Sequence, residues 1–232
     1  MLDVSVVVPA RNAAALLEEC LEAIVRAQPA ELIVVDGCST DATVAVARRF
    51  GARVLSDDGR GVAAARALGV AAARCERAVA EHDVGVDERH ALAHHHRTGR
   101  SRNWFGLVAT VFDRATLLEH GFDEGFLSGE DIELRRRLGR AGARLGVSER
   151  TIVLHRFEDG FAFARGQWLA DGGGLARTVR KEGWHGVALA ALPAAAAARG
   201  IGLCLARREL RWLAYYACFL VFNYAGMVRR RA

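Results

Sequence analysis

Two short apolar runs, Val4 to Val8 closed by Pro9 and Leu32 to Val35 closed by Asp36-Gly37, restrict the fold more than anything else in the sequence. Neither run alternates with polar residues. Each therefore predicts a strand buried on both faces, as in parallel sheets covered by helices. Between them, Ala13 to Gln28 sets Leu16, Leu17, Leu21, Ile24 and Val25 at helical spacing, and Asn12 stands where an N-cap is expected. The alternation continues with a helix from Ser39-Thr40-Asp41 through Phe50, a strand at Arg53-Val54-Leu55 and an Ala-rich helix over Gly61 to Arg74. Strand and helix in turn at this pitch predict a parallel sheet flanked by helices. In such sheets ligands bind beyond the carboxyl ends of the strands. Pro9-Ala10-Arg11, Asp36-Gly37 and Asp57-Asp58-Gly59-Arg60 all fall there.

Beyond this the pattern loosens. Ala78 to Ala80 reads as a strand followed by Glu81-His82-Asp83, and His90 to Arg102 reads as a polar, basic loop. Phe105 to Phe112 predicts a strand, Arg114 to His120 a short helix, and Gly129-Glu130-Asp131 the start of a helix running to Arg140. Arg150 to Leu154 is expected to be the last strand of the core. With 52% hydrophobic residues the chain is too apolar to be disordered. Five scattered Cys without a C-x-x-C pair argue against a disulfide framework or a thiolate zinc site and fit a reducing compartment. The first residues run straight into a strand with no basic leader, so secretion is not expected.

The formal charge of +5 is unevenly placed. From Arg199 onward there are seven Arg against the single acid Glu209, which leaves the first 198 residues close to neutral. The body thus offers no electrostatic footprint for nucleic acid. Trp212 to Val228 is nearly free of polar residues, holds all three Tyr, and is flanked by Arg211 and Arg229-Arg230-Arg231. As a helix it spans roughly 25 Å, marginal against a hydrocarbon core of about 30 Å. A buried core helix and an interfacial helix both fit. Aromatics with flanking Arg favour the interface, and the tail is expected to act as a membrane anchor. The expected organisation is a body over 1–180 and a helical tail over 181–232.

The text Val4-Ser-Val-Val-Val-Pro-Ala-Arg-Asn12, then Leu32-Ile-Val-Val-Asp-Gly-Cys-Ser-Thr-Asp41, resembles the family 2 glycosyltransferases with the GT-A fold. Gly61 with Ala65-Arg66, Gly121-Phe-Asp-Glu124 and Gly129-Glu-Asp-Ile-Glu-Leu-Arg135 extend the resemblance to about residues 3–157. It implies an α/β fold with a mixed, mostly parallel sheet flanked by helices, followed here by C-terminal helices. It also implies inverting transfer of a sugar from a nucleotide-diphosphate donor, most often a UDP-sugar, with Mn2+ or Mg2+ on the diphosphate.

The same resemblance assigns roles. Asp36 would hold the base beside Pro9 and Arg11, while Arg66 would face the diphosphate in preference to Arg60. Asp36 acting instead as a helix cap is the alternative, although Ser39 or Thr40 is better placed for that. The family's Asp-x-Asp metal motif is absent. Its nearest substitute is Glu81-His82-Asp83, with Glu81 and Asp83 as ligands and His155 as a further donor. Asp131, supported by Glu130, would be the base that activates the acceptor hydroxyl. The alternative is that these acids merely complement a helix N-terminus. His94-His95-His96 reads as loop. Arg165 and Trp168 occur without the Gln-x-x-Arg-Trp motif of processive synthases, which favours a single transfer.

Asp83 and Asp131 are only 48 positions apart, so the acceptor portion is short. A lipid-linked or membrane glycan acceptor at the cytoplasmic membrane face would suit that economy. Two rivals remain: a catalytically degenerate nucleotide-sugar-binding subunit on the same scaffold, and a nucleotidyltransferase. The latter is disfavoured because no Gly-rich phosphate loop follows the first strand.

Overall fold

The computed structural model describes residues 2–80, 110–126, 128–143 and 160–229. These divide into two compact units, the first from 2–80, 110–126 and 134–143 and the second from 128–133 and 160–229.

In the first unit, β1 (Leu2–Ala10), β2 (Pro29–Asp36), β3 (Arg53–Ser56) and β4 (Arg77–Ala80) pair in parallel, and β5 (Val111–Asp113) adds an antiparallel edge. The order β3-β2-β1-β4-β5 puts β1 in the middle. Helices α1 (Ala14–Arg26), α2 (Thr43–Arg49) and α3 (Val62–Ala72) make the crossovers. The uninterrupted apolar runs now have their explanation. Val6, Val8, Leu32 and Val34 pack with Leu17, Leu21 and Ile24 of α1 and Val46 of α2. The alternate residues Val7, Ile33 and Val35 pack with Ala65 and Ala73 on or beside α3. Both faces are covered, so Val6–Val8 and Leu32–Val35 are all apolar, and the buried Ser5 is accommodated by donating to Glu31 at 2.8 Å. The Ala-rich composition of α3 follows from close approach: a Cβ at Gly69 would stand 2.2 Å from a Val7 methyl.

Helix α4 (Arg114–His120) continues this unit, as do residues 134–140 of α5 (Glu130–Arg140), whose first turn belongs to the second unit. Asp113 caps α4 by accepting from the Ala115 N–H at 2.8 Å. Leu134 and Leu138 of α5 enter a cluster with Phe112, Leu117 and Phe122, and Arg137 donates to the carbonyls of His120 and Gly121.

The second unit is helical: α6 (Phe161–Glu182), a 3-10 stretch (Gly183–Ala191), α7 (Leu192–Arg207), a short 3-10 turn (Leu210–Trp212) and α8 (Leu213–Val228). Trp168 of α6 lies edge-on to Tyr215 and Phe219 and stacks on Phe222, all from α8. Backbones approach where glycine permits. A Cβ at Gly172 would meet the Asn223 carbonyl at 1.9 Å, and one at Gly226 the Leu169 carbonyl at 2.2 Å. The boundary expected at 180/181 therefore falls inside this unit, because α6 packs along α8. The last helix is neither a detached tail nor fully buried: Tyr216, Asn223 and Gly226 are buried, while Val221 and Val228 face outward. The strand expected at 150–154 and the loop at 90–102 lie outside the described residues.

Candidate active site

Parallel pairing sets Pro9 opposite Val35 and Ala10 opposite Asp36, so the ends of β1 and β2 adjoin. The Gly37 N–H donates to the Ala10 carbonyl at 2.8 Å, which closes the corner. A Cβ at Gly37 would press on Arg11 at 3.2 Å, so a residue without a side chain lets Arg11 lie over this corner. Pro9, Arg11 and Asp36 thus come together as the sequence predicts. Asp36 is buried, and its two oxygens accept the Ser39 N–H at 3.1 and 3.3 Å, shaping a turn in which Cys38 has a φ of +61°. A carboxylate offers about four acceptor positions. One N–H leaves Asp36 able to receive donors from a ligand.

The helix caps differ from expectation. Asp41, rather than Ser39 or Thr40, caps α2 by accepting the Thr43 N–H at 2.9 Å together with the Thr43 hydroxyl. These bonds hold its carboxyl below the usual value. The Ser39 hydroxyl accepts the Asn12 N–H, and the Thr40 N–H donates to the Asn12 side chain, each at 2.8 Å. Asn12 has a φ of +49° and ties one loop to the other. It does not cap α1, whose Ala14 N–H is met by Asp41 at 3.0 Å. A capping residue is expected next to its own helix, and here the cap comes from the neighbouring loop.

Asp57, at the end of β3, is buried and accepts the N–H groups of Gly59 and Gly61 at 2.8 and 3.0 Å, which fixes the entry to α3. Arg60 pairs with Glu124 at 3.2 Å on the surface. Arg66 is fully buried in α3, unlike Arg60. A buried guanidinium is costly unless matched by acceptors, which suits a residue with a structural or ligand partner more than a solvated helix face.

The metal candidates Glu81, Asp83 and His155 lie outside the described residues. Strand β4 reaches Ala80, paired with Val7, immediately before Glu81 in the chain. Among the described residues no three His, Cys, Asp or Glu side chains form a cation site. Glu81, Asp83 and His155 remain the sequence's candidates for such a site. Hard carboxylate donors there fit Mn2+ or Mg2+ by chemistry.

Glu130 and Asp131 open α5, as predicted. Glu130 is buried, and Asp131 is partly exposed with one oxygen accepting the Ile132 N–H at 2.8 Å. Glu133, far from merely complementing the helix end, is buried and pairs with Lys181, the only lysine in the chain, at 2.7 Å. The turn before these acids rests on α6. A Cβ at Gly174 would meet the Ser128 carbonyl at 1.8 Å, and Gly129 has a φ of +78°. The Ser128 hydroxyl donates to the Asp171 carboxyl, which also accepts from Gln167 at 2.9 Å.

Sequence reasoning missed Asp171, Gln167 and Lys181. The run Gly172-Gly173-Gly174 was the available signal for close packing.

Burial lifts the Asp171 carboxyl to about 6; the charges of Asp131 and Glu130 add to the rise, and the Ser128 and Gln167 bonds oppose it. The folded chain therefore retains a proton that the unfolded chain releases near 3.8, the ordinary value for an aspartate. The stability tied to this proton is full below that lower value and is lost as pH rises through about 6. Asp171→Asn is expected to flatten the fall in urea midpoint between about pH 4 and pH 7. An unaltered slope in the variant would exclude Asp171 as its source.

A central parallel sheet carrying an antiparallel edge strand, with the Asp-Gly corner at the end of β2, is the arrangement of the GT-A fold. Residues 5–84 match the family model described as glycosyl transferase family 2. A mannosyltransferase from Pyrobaculum calidifontis, solved with GDP-Man and Mn2+, superposes with a TM-score of 0.70 over 97% of this chain and 87% of its own, at 20% identity. That likeness establishes the GT-A fold. Glucosyl-3-phosphoglycerate synthase from Mycobacterium tuberculosis, solved with Mn2+ and UDP-Glc, is 33% identical, with a TM-score of 0.30. The likeness covers 33% of this chain and 31% of the synthase, too little to define a common architecture. No curated protein sequence matches the chain.

Proposed function

We propose that the chain is an inverting glycosyltransferase that moves a sugar from a nucleotide-diphosphate donor to an acceptor hydroxyl at the cytoplasmic face of a membrane. The observation that carries this reading is the convergence of Pro9, Arg11 and Asp36 at adjoining strand ends, within the segment that matches the family. Asp36 receives the N–H or O–H groups of the base or ribose, and Arg11 covers the same corner. Arg66 supports the diphosphate. Asp131 takes the acceptor proton as the acceptor oxygen bonds to the anomeric carbon and the bond from that carbon to the diphosphate oxygen breaks. Glu81 and Asp83, with His155, would hold the divalent metal, which supplies positive charge to the departing diphosphate. A UDP-sugar is the expected donor. The mannosyltransferase solved with GDP-Man makes GDP the first competitor.

A thermal-shift panel of UDP, GDP, TDP and CDP, each with and without Mn2+, tests the donor site. A nucleotide at 100 times its Kd stabilises the fold by about 2.7 kcal/mol. One nucleotide is expected to bind in the presence of Mn2+ and to lose that shift in Asp36→Ala. Equal binding without metal would favour the binding-subunit reading. No shift with any nucleotide would remove the functional reading.

The membrane part rests on the second unit. The helical stretch Phe161–Arg207 is long and apolar enough to cross a membrane by length and composition. Trp184 is 86% exposed, and Val187, Leu205, Leu210 and Val228 are also exposed, among Arg207, Arg208 and Arg211. Such a surface suits an anionic, lipid-linked or membrane setting, where each Arg near the surface contributes about 1 kcal/mol. Co-sedimentation with phosphatidylglycerol vesicles is expected at low salt and is expected to weaken in Trp184→Ser/Leu205→Ser. Equal recovery in both supernatants would remove the membrane from the proposal.

A further inference from the structure

We propose that Asp171 is a positioning residue for the Glu130-Asp131 turn, holding Ser128 and through it the backbone that delivers Asp131. The proposal rests on the reading of Asp131 as the base. Helix α6 grips this turn at three points. Asp171 accepts the Ser128 hydroxyl, Gly174 lies against the Ser128 carbonyl with no room for a Cβ, and Lys181 pairs with Glu133 one turn into α5. Gln167 donates to the same Asp171 oxygen at 2.9 Å and so keeps the carboxyl aimed at Ser128.

The choice of residue points to more than a tie. A hydroxyl can be held by a neutral amide, which costs little to bury. A half-buried carboxyl beside two further acids is the least favourable group for the task. Glu130 and Asp131 are the charged groups whose fields reach it. Helix α8, which also packs on α6, carries no acidic or basic side chain over Leu213–Val228. The cluster thus places a third carboxyl where it both shapes the turn and acts on the same field as the base. Backbone contact at Gly174 and Gly129 leaves no slack between α6 and the turn, so a change at Asp171 is passed to Asp131.

The test uses the full chain and two variants. Asp171→Asn keeps an acceptor for Ser128, and Asp171→Leu removes it at similar size. The first readout is hydrogen exchange of the amides of residues 128–133. The second is kcat and donor KM, from nucleoside diphosphate released from GDP-mannose or UDP-glucose.

Asp171→Leu is expected to speed exchange at 128–131 and to lower kcat on the order of 10²-fold, as a misplacement of about 1 Å does, with donor KM unchanged. Asp171→Asn is expected to restore slow exchange and most of kcat. Wild-type exchange and kcat in Asp171→Leu would overturn the proposal. So would a joint loss of kcat and donor binding that Asp171→Asn does not rescue. If the wild-type chain turns over neither donor, the functional reading falls with the catalytic half of this proposal, while exchange still decides whether Asp171 holds the turn.

Discussion

Asp131→Asn is expected to lower sugar transfer by roughly 10²–10⁴-fold, the contribution of a positioned general base, while the chain stays folded. Asn cannot take the acceptor proton, yet its side-chain oxygen can still accept the Ile132 N–H that Asp131 accepts now. The helix does not depend on this residue for its place. Leu134 and Leu138 are anchored in the core of the first unit, and Glu133 is paired with Lys181. The lost complement to the helix N-terminus costs under about 1 kcal/mol. Nucleoside diphosphate release and a thermal melt on the same preparation separate the two effects. Undiminished release would assign the base elsewhere, and a collapsed melt would make Asp131 structural.

Ending the chain before Arg199 is expected to disrupt the second unit, contrary to the expected separation of a body over 1–180 from a tail over 181–232. The deletion removes α8 and much of α7. It strips Trp168 of Tyr215, Phe219 and Phe222, and bares the glycine face of α6 at Gly172. It also removes the buried Tyr216. Loss of one such large buried side chain costs about 3–5 kcal/mol, comparable with the whole stability of many domains, about 5–15 kcal/mol. Because α6 also carries Asp171, Gly174 and Lys181, the damage reaches the turn before Asp131. Limited proteolysis is expected to cut the truncated protein within residues 160–198 and to spare the full chain there. Equal resistance, with wild-type solubility, would show that α8 is dispensable.

This revises how the membrane reading is tested. A deletion that unfolds a unit exposes apolar surface and can bind vesicles or aggregate for reasons unrelated to function. Surface substitutions at Trp184 and Leu205 leave the α6–α8 packing intact and ask the question directly.

The local sequence by itself determined the parallel sheet and the donor corner. Apolar runs four or five residues long, rich in β-branched residues and closed by Pro9 and by Asp36-Gly37, have the length and flanks of strands covered on both faces. The βαβ connection then brings their carboxyl ends together. Arg114 to His120 and the helix opening at Glu130 were equally legible, because a cap or a cluster of acids marks a helix start within a few residues.

What only the tertiary structure decided depends on partners distant in the chain. Asp41 took the cap of α1 expected of Asn12, because two loops 27 residues apart share their hydrogen bonds. Helix α6 escaped the sequence reading because glycines at 166 and 172–174 lower helix propensity. Its stability comes from the backbone contact those same glycines permit. The support of Asp131 by Asp171, and of Glu133 by Lys181, joins residues more than 40 positions apart. No periodicity or capping pattern reaches that far, since side-chain pairing at such a distance is set by how the helices pack.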